Sequence, residues 1–372
     1  NSSSTLAPYA VFITTTAGYQ FIGTEAGDYA GVSVSSAGDV DGDGQDDLLI
    51  GARYADGGGA SSGETYLVTA AALADADAAD GTTDGVIDLD NIKGVAGSYQ
   101  FVGTQTNDEA GYSVSSAGDV DGDGQDDLLI GASHADDGDL NSGETYLVTA
   151  AALATADGVD GATDGVIDLD NIKGVAGSYQ FIGTELGDNS GISVSSAGDV
   201  DGDGQDDLLI GAYLADGGGT NSGETYLVTA AALASADAAD GTTDGVIDLD
   251  NIKGVAGSYQ FIGTEAGDRA GVSVSSAGDV DGDGLDDLLI GAYIADGGGS
   301  GSGETYLVTA AVLATADAAD GTTDGVIDLE NIKGVAGSYQ FIGTETNDYA
   351  GISVSSAGDV DGDGQDDLLI GA

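Results

Sequence analysis

The chain alternates short apolar runs with breaks rich in Gly and Asp. Residues 32–35 (Val-Ser-Val-Ser) alternate apolar and polar, as a half-buried strand does. Residues 47–52 (Asp-Leu-Leu-Ile-Gly-Ala) are a short, nearly continuous apolar run, expected of a strand covered on both faces. Residues 64–69 (Glu-Thr-Tyr-Leu-Val-Thr) and 99–104 (Tyr-Gln-Phe-Val-Gly-Thr) are rich in β-formers and predict a third and a fourth strand. Between them, residues 70–79 are Ala-rich and predict a short helix.

The whole pattern returns every 80 residues. The block Asp-Val-Asp-Gly-Asp-Gly-x-Asp-Asp-Leu-Leu-Ile-Gly starts at Asp39, Asp119, Asp199, Asp279 and Asp359. A fixed period of this size predicts a repeat architecture. Four short strands per repeat, in up-and-down order, predict one propeller blade. The expected fold class is therefore all-β: a β-propeller of four-stranded blades, with a short helix and loop inserted between strands three and four. The blade repeats are 32–111, 112–191, 192–271 and 272–351.

The ends extend this reading. The sequence stops after the second strand of a fifth unit, and residues 9–14 and 19–24 near its start look like strands three and four. Residues 352–372 plus 6–31 then make a fifth blade, and 1–372 is one five-bladed domain closed without a free edge. The same pairing between chains would not close and would give head-to-tail filaments or larger rings. Both outcomes stay open.

Composition narrows the partners. There are 66 acidic residues against 6 basic ones, a formal net charge of −60. Nucleic acid is excluded as a partner, because phosphate binding needs clustered Lys and Arg. No apolar run approaches the ~20 residues that span a bilayer, so no membrane insertion is expected. There is no Cys, hence no disulfide and no thiolate metal site. There is also no Met, so the chain reads as a processed or excised segment. The acidity could be a solubilising surface, but its placement says more. Five aspartates in each of five loops account for 25 of the 66 acids.

In the loop of residues 39–47, oxygen ligands fall at alternate positions. Asp39, Asp41, Asp43 and Asp47 occupy positions 1, 3, 5 and 9, and Gln45 at position 7 would contribute its backbone carbonyl. Gly42 and Gly44 permit the tight turn. Calcium takes 6–8 oxygens, and this spacing supplies them, whereas magnesium prefers fewer protein ligands and stricter octahedral geometry. The copies are Asp119, Asp121, Asp123, Gln125 and Asp127; Asp199, Asp201, Asp203, Gln205 and Asp207; Asp279, Asp281, Asp283, Leu285 and Asp287; and Asp359, Asp361, Asp363, Gln365 and Asp367. Leu285 fits a position that uses only its carbonyl. Asp46 alternates to the other side and reads as an outer or solvent-facing group. Without a cation, carboxylates held this close repel one another.

Residues 35–52, Ser-Ser-Ala-Gly-Asp-Val-Asp-Gly-Asp-Gly-Gln-Asp-Asp-Leu-Leu-Ile-Gly-Ala, resemble the FG-GAP repeat of integrin α-subunit propellers and their bacterial relatives. The resemblance spans essentially the whole chain in five copies. It implies a β-propeller with calcium in the loop between strands one and two, carried over here to Asp39, Asp41, Asp43, Asp47 and their repeats. The family's propellers are typically seven-bladed, against five units here. Its usual Phe-Gly before strand one is replaced by Ala30-Gly31, Ala110-Gly111 or Ser190-Gly191.

A second acidic loop follows the helix. Asp80, Thr82, Asp84, Val86 (carbonyl) and Asp88 occupy positions 1, 3, 5, 7 and 9, with Gly85 at position 6, which resembles the start of an EF-hand or dockerin-type loop. It recurs with Asp160, Asp164 and Asp168, with Asp240, Asp244 and Asp248, and with Asp320, Asp324 and Asp328. Position 12 holds Asn91 where a bidentate acid is expected. The competing reading is an ordinary Asx/Gly turn. The expected cofactor is Ca2+ at five sites, with up to four more in these loops. Lys93, Lys173, Lys253 and Lys333 recur just afterwards and would neutralise nearby carboxylates.

Strand alternation puts both acidic loops on one rim, where the copies are uniform. The two-to-three and four-to-one connections emerge on the other rim, where the copies differ: Arg53-Tyr54 against Ser133-His134, and Tyr29 against Glu109 and Arg269. Recognition usually lives on such loops; drift in unconstrained turns is the alternative. No catalytic set stands out, since almost every acid is copied in register and His134 is the sole histidine. The reading is a non-enzymatic, calcium-stabilised adhesion or binding propeller, extracellular or at the cell surface, with a protein or glycan surface ligand. The alternative is a structural subunit or spacer of an extracellular filament formed by self-association.

Overall fold

The computed structural model describes residues 11–14, 18–23, 25–183, 185–263 and 265–372. The side chains of residues 11–14 and of Asp320 lie outside the described set, as do residues 6–10, 15–17 and 24 of the expected fifth blade.

Each repeat folds as an antiparallel sheet in sequential order. In the first, Ser33–Gly38, Asp47–Ala52, Glu64–Val68 and Ser98–Val102 pair in turn, with Val34 opposite Ile50, Ile50 opposite Tyr66 and Tyr66 opposite Gln100. The next three repeats reproduce this register. The protein is thus all-β, with repeated four-stranded units consistent with a propeller.

Strand two explains the stacking. In the second, third and fourth repeats Asp-Leu-Leu-Ile-Gly-Ala is buried at every position, so the sheet must be covered on both faces. The core lies between successive sheets. Leu49, Leu67 and Phe101 of the first repeat pack with Val114, Leu128, Ile130 and Tyr146 of the second. The later repeats stack the same way. At the inner strands, the Val114 N–H donates to Ser33 Oγ at 3.0 Å, and the same bond joins Val194 to Ser113, Val274 to Ser193 and Val354 to Ser273.

The insert departs from the sequence reading. Residues 70–79 do turn helical, as a 3-10 turn Ala70–Ala72 and a helix Leu73–Ala78. Val86–Asp88, read as part of a loop, is instead a short strand that pairs in parallel with Gly18–Ile22 of the preceding sheet. Val166–Asp168, Val246–Asp248 and Val326–Asp328 reach back in the same way. Blades therefore gain a fifth, borrowed strand, which covers an outer edge that would otherwise be free. The physical reason is burial: Ile87, Ile167, Ile247 and Ile327 are fully enclosed only by crossing to the neighbour. Among the described residues Ser338–Ile342 has no such strand. Phe341 is 39% exposed, whereas Phe101, Phe181 and Phe261 are at 0%.

The terminal segments form two half-sheets. Val11–Thr14 and Gly18–Ile22 pair with each other and with Val86–Asp88, while Ser353–Gly358 pairs with Asp367–Gly371. No pairing joins the two half-sheets among the described residues. Accordingly Val34 is 48% exposed where Val114 is at 6%. A groove lined by Phe21, Val34, Leu48 and Ile50 opens on that face.

Candidate metal centre and the opposite rim

The loop of residues 39–47 joins strands one and two, and its own carboxylates shape it. The Asp43 N–H donates to Asp41 Oδ1 (3.1 Å), Gly44 N–H to Asp39 Oδ2 (2.8 Å) and Gln45 N–H to Asp43 Oδ1 (2.8 Å). Gly42 and Gly44 sit at φ +75° and +84°, which the turn requires. The result is convergence. Carboxylate oxygens of Asp39, Asp41 and Asp43 all lie within 4.8 Å of one another, as do those of Asp199, Asp201 and Asp203. In the other copies position 9 joins the set: Asp119, Asp121 and Asp127; Asp279, Asp281 and Asp287; Asp359, Asp361 and Asp367.

The position-9 aspartate is the deepest member. Asp47 is fully buried, and its Oδ1 accepts from Ala70 N–H (2.8 Å) and its Oδ2 from Val40 N–H (3.0 Å). It anchors the loop to the 3-10 turn of the insert. Burial pushes its carboxyl up to about 6, against the pull of the two N–H donors, and Asp41 and Asp43 add to the rise. For Asp127 and Asp207 burial raises the value to about 7. Such crowding of negative groups is what a bound cation relieves.

The donor set fits calcium. It is oxygen-only and rich in carboxylate, as a hard cation with 6–8 ligands needs. Asp39 Oδ1 is buried and has no hydrogen-bond donor among the described residues, a gap that a cation would fill. The residues that would hold the ion are those at positions 1, 3, 5 and 9, with the position-7 carbonyls of Gln45, Gln125, Gln205, Leu285 and Gln365. Their side-chain amides act as donors: Gln45 Nε2 and Gln125 Nε2 donate to the position-5 carboxylates Asp43 (3.1 Å) and Asp123 (3.4 Å) of their own loops, and Gln365 Nε2 donates to the Asp281 carbonyl of the preceding unit (3.4 Å). Asp126, Asp206, Asp286 and Asp366, read as turned away from their own loops, each bond to the preceding unit.

The second acidic loop is arranged differently. Asp80 Oδ1 accepts from Thr82, Asp84 Oδ1 from Val86 N–H and Asp88 Oδ1 from Asp90 N–H, each an Asx-type turn. Among the described residues these carboxylates do not converge as those of the first loop do. The organising residue was not foreseen. Asp77, at the end of the helix and 8% exposed, accepts from Gly85 N–H at 2.8 Å, and Asp157, Asp237 and Asp317 repeat the bond. Its only signal was an acid on the apolar face of an Ala-rich helix. Three of the four lysines neutralise carboxylates as expected: Lys173 lies 2.6 Å from Asp137, Lys253 3.1 Å from Asp250 and Lys333 2.6 Å from Glu330.

The opposite rim carries the non-repeated side chains, and they touch across blades. Arg53 lies 4.6 Å over the rings of both Tyr54 and Tyr112, and Tyr29 meets Tyr54 edge-on at 5.2 Å. Arg269 lies 5.8 Å over Tyr213 and 5.7 Å over Tyr293, whose ring is 6.0 Å from Tyr349. Both arginines of the chain are in this ribbon. One slot recurs in it with a left-handed backbone: Tyr29, Glu109, Asn189, Arg269 and Tyr349 have φ between +54° and +59°. Non-glycine residues seldom hold that conformation, which tends to mark functional positions. His134 sits here too, but its Nδ1 faces both Ser133 Oγ (3.2 Å) and Glu109 (3.7 Å), and Ser133 is fully buried. One nitrogen serving both contacts is not a Ser–His–acid relay. Beneath the rim, burial raises Asp28, Asp108 and Asp268 to about 6 and Asp188 to about 7.

Four segments, residues 30–68, 110–148, 190–228 and 270–308, match the FG-GAP repeat. Each runs from the connection before strand one through strand three, so each contains one of the candidate metal loops. The chain thus carries four FG-GAP repeats, and its curated relatives are integrin alpha chains. It is similar to integrin alpha pat-2 of Caenorhabditis elegans, at 27% identity over 267 residues, 71% of this chain and 18% of that protein. Integrin alpha-5 of Xenopus laevis is 28% identical over 215 residues, 56% of this chain and 17% of that one. The chain thus spans less than a fifth of the length of the curated relatives it matches. No helix among the described residues is long and apolar enough to cross a membrane.

Proposed function

We propose that this is a non-enzymatic, calcium-stabilised adhesion or binding propeller that works outside the cell or at its surface. The observation that carries the proposal is the division between rims. The metal loops are near-identical in every copy, whereas the non-repeated tyrosines, both arginines and the histidine gather in one contiguous ribbon on the other rim. Drift in unconstrained turns does not favour aromatic and Arg residues in mutual contact at strained positions. Aromatic and Arg side chains are the groups that carry binding energy at interfaces. The millimolar calcium found outside cells would keep sites of modest affinity filled. Five Ca2+ ions are expected in the first loops, and the second loops are weaker candidates for up to four more.

Protein and glycan arrays probed in calcium with the intact chain test this reading. Binding should be lost in Tyr213→Ala and Arg269→Ala variants that melt like the parent. Retained binding in both would refute it.

The structural alternative is favoured by one observation, the two complementary half-sheets. Ser353–Gly358 and Asp367–Gly371 pair as strands one and two do elsewhere, and Val11–Thr14 and Gly18–Ile22 pair in the register of strands three and four, which supports this reading. Pairing within one chain gives the five-bladed ring of 1–372. Pairing between chains gives a head-to-tail filament. Solution mass in calcium, measured over a range of concentrations, separates the two.

A further inference from the structure

Residue 8 of each metal loop stands between two ligand positions, the carbonyl of residue 7 and the carboxylate of residue 9. In four of the five copies it reaches the unit before it. Asp126 Oδ2 accepts from the Asp39 N–H at 2.7 Å, and the Asp126 N–H donates to the Asp39 carbonyl at 3.1 Å. The same double bond joins Asp206 to Asp119 (2.9 and 3.1 Å), Asp286 to Asp199 (2.9 and 3.1 Å) and Asp366 to Asp279 (3.0 and 3.0 Å). Each partner is position 1 of the neighbouring metal loop. The space for each carboxylate is a missing side chain. A Cβ on Gly38, Gly118, Gly198 or Gly278 would come within 2.1–2.2 Å of the neighbour's Oδ2. A Cβ on Gly358, in the last copy, would meet nothing within 4 Å, although its φ of +66° is similar.

We infer that Asp126, Asp206, Asp286 and Asp366 are positioning residues that couple neighbouring metal loops, so that filling one loop favours filling the next. The inference rests on the calcium reading of those loops. Asp206 is one peptide bond from ligand residues on either side, and two hydrogen bonds fix it to Asp119. Residues 205–207 therefore cannot reorganise around a cation without moving the first ligand of the loop before. A loop ordered by its cation lowers the ordering cost of the next one, which is positive coupling without any new contact. Repulsion between neighbouring cations opposes this, but each loop carries enough carboxylates to remain negative or neutral when filled.

Calorimetric titration of the metal-free full chain with Ca2+ tests the coupling. The wild-type isotherm should be steeper than that of independent sites. Asp206→Ala should split it into a block of two loops and a block of three, with half-saturation shifted about fivefold or more at unchanged stoichiometry. Asp206→Asn keeps an acceptor oxygen and should follow the wild type. Asp366→Ala detaches only the last loop and guards against a misfolded Asp206→Ala. Amide exchange at Asp119 should speed up in Asp206→Ala alone. Calcium binding in which Asp206→Ala and Asp366→Ala overlay the wild type overturns the coupling and leaves the calcium reading intact. No calcium heat in any of the proteins overturns the calcium reading itself.

Discussion

Removing the cation should cost the fold much of its stability, and the size of the loss can be worked out. Five loops each gather three carboxylates within 4.8 Å, so five sites empty together on chelation. For a dissociation constant of ~10⁻⁴ M, as in extracellular calcium modules, ~2 mM free calcium stabilises the folded state by about 1.8 kcal/mol per site. Five sites give about 9 kcal/mol, comparable with the whole stability of an ordinary domain. With ~2.1 cal/mol/K of unfolding entropy per residue, a chain of 372 residues should melt about 12 °C lower in chelator. The assay is a circular dichroism melt at neutral pH, once in 2 mM calcium and once in excess EDTA. Magnesium at the same concentration should restore little of the difference. Melting curves that superimpose in calcium and EDTA would refute the reasoning, because the loops would then be self-sufficient turns.

Three other outcomes are expected. Gly198→Ala should destabilise by about 2–4 kcal/mol, from a left-handed backbone plus a clash with Asp286, whereas Gly254→Ala, at φ +79° with nothing within 4 Å, should show only the ~1 kcal/mol backbone part; urea melts in calcium compare them. Phe181→Ala should cost about 3–5 kcal/mol, and Phe341→Ala clearly less, because Phe341 is exposed at an uncovered edge; the same melts read both. Asp188 is raised from 3.8 to about 7 mainly by burial, with Glu224 and Glu185 adding to it. The folded state therefore holds this proton where the unfolded chain has lost it, and its contribution to stability falls as pH rises from about 4 to about 7. Asp188→Asn should match the parent near pH 4 and exceed it at pH 8, in saturating calcium; an equal difference at both pH values would remove the argument.

The repeat, its strands and the convergence of carboxylates in the first acidic loop were legible because each is a local pattern. Asp-x-Asp-Gly-Asp at positions 39–43 closes its own turn with Asx bonds, so sequence spacing and geometry coincide. What was not legible depends on a neighbour. Val86–Asp88 has too few residues to declare itself a strand and becomes one only by pairing with Gly18–Ile22 across the blade boundary. Asp126 alternates away from its own loop, as the pattern said, but the pattern could not show that it lands on Asp39. Asp77 looked like a misplaced acid in a helix because Gly85, its donor, belongs to the following loop. Likewise Tyr54 and Tyr112 are far apart in sequence, and only the stacking of sheets places Arg53 over both.

Near-identity of the copies bears directly on how the ends behave. Apart from the rim contacts of Arg53 and Arg269, the contacts between blades described above are made from groups that the copies share: Ser33 with Val114, Asp126 with Asp39, Val166–Asp168 with the strand before it. None of these can tell a neighbour in the same chain from one in another chain. Specific pairing is therefore set by connectivity and not by chemistry. For the terminal half-sheets the same groups are on offer, since Ser353, Asp46 and the exposed Val34 repeat residues that are paired elsewhere. Whether they meet within the chain is then a question of effective concentration, in the millimolar range for short flexible links. A ring that closes without strain should thus remain monomeric at micromolar concentration. A five-blade arc too shallow to bring the ends together has an effective concentration near zero and must pair between chains. Curvature per blade, fixed by the wedge of core between successive sheets, is the quantity that decides between a binding ring and a filament.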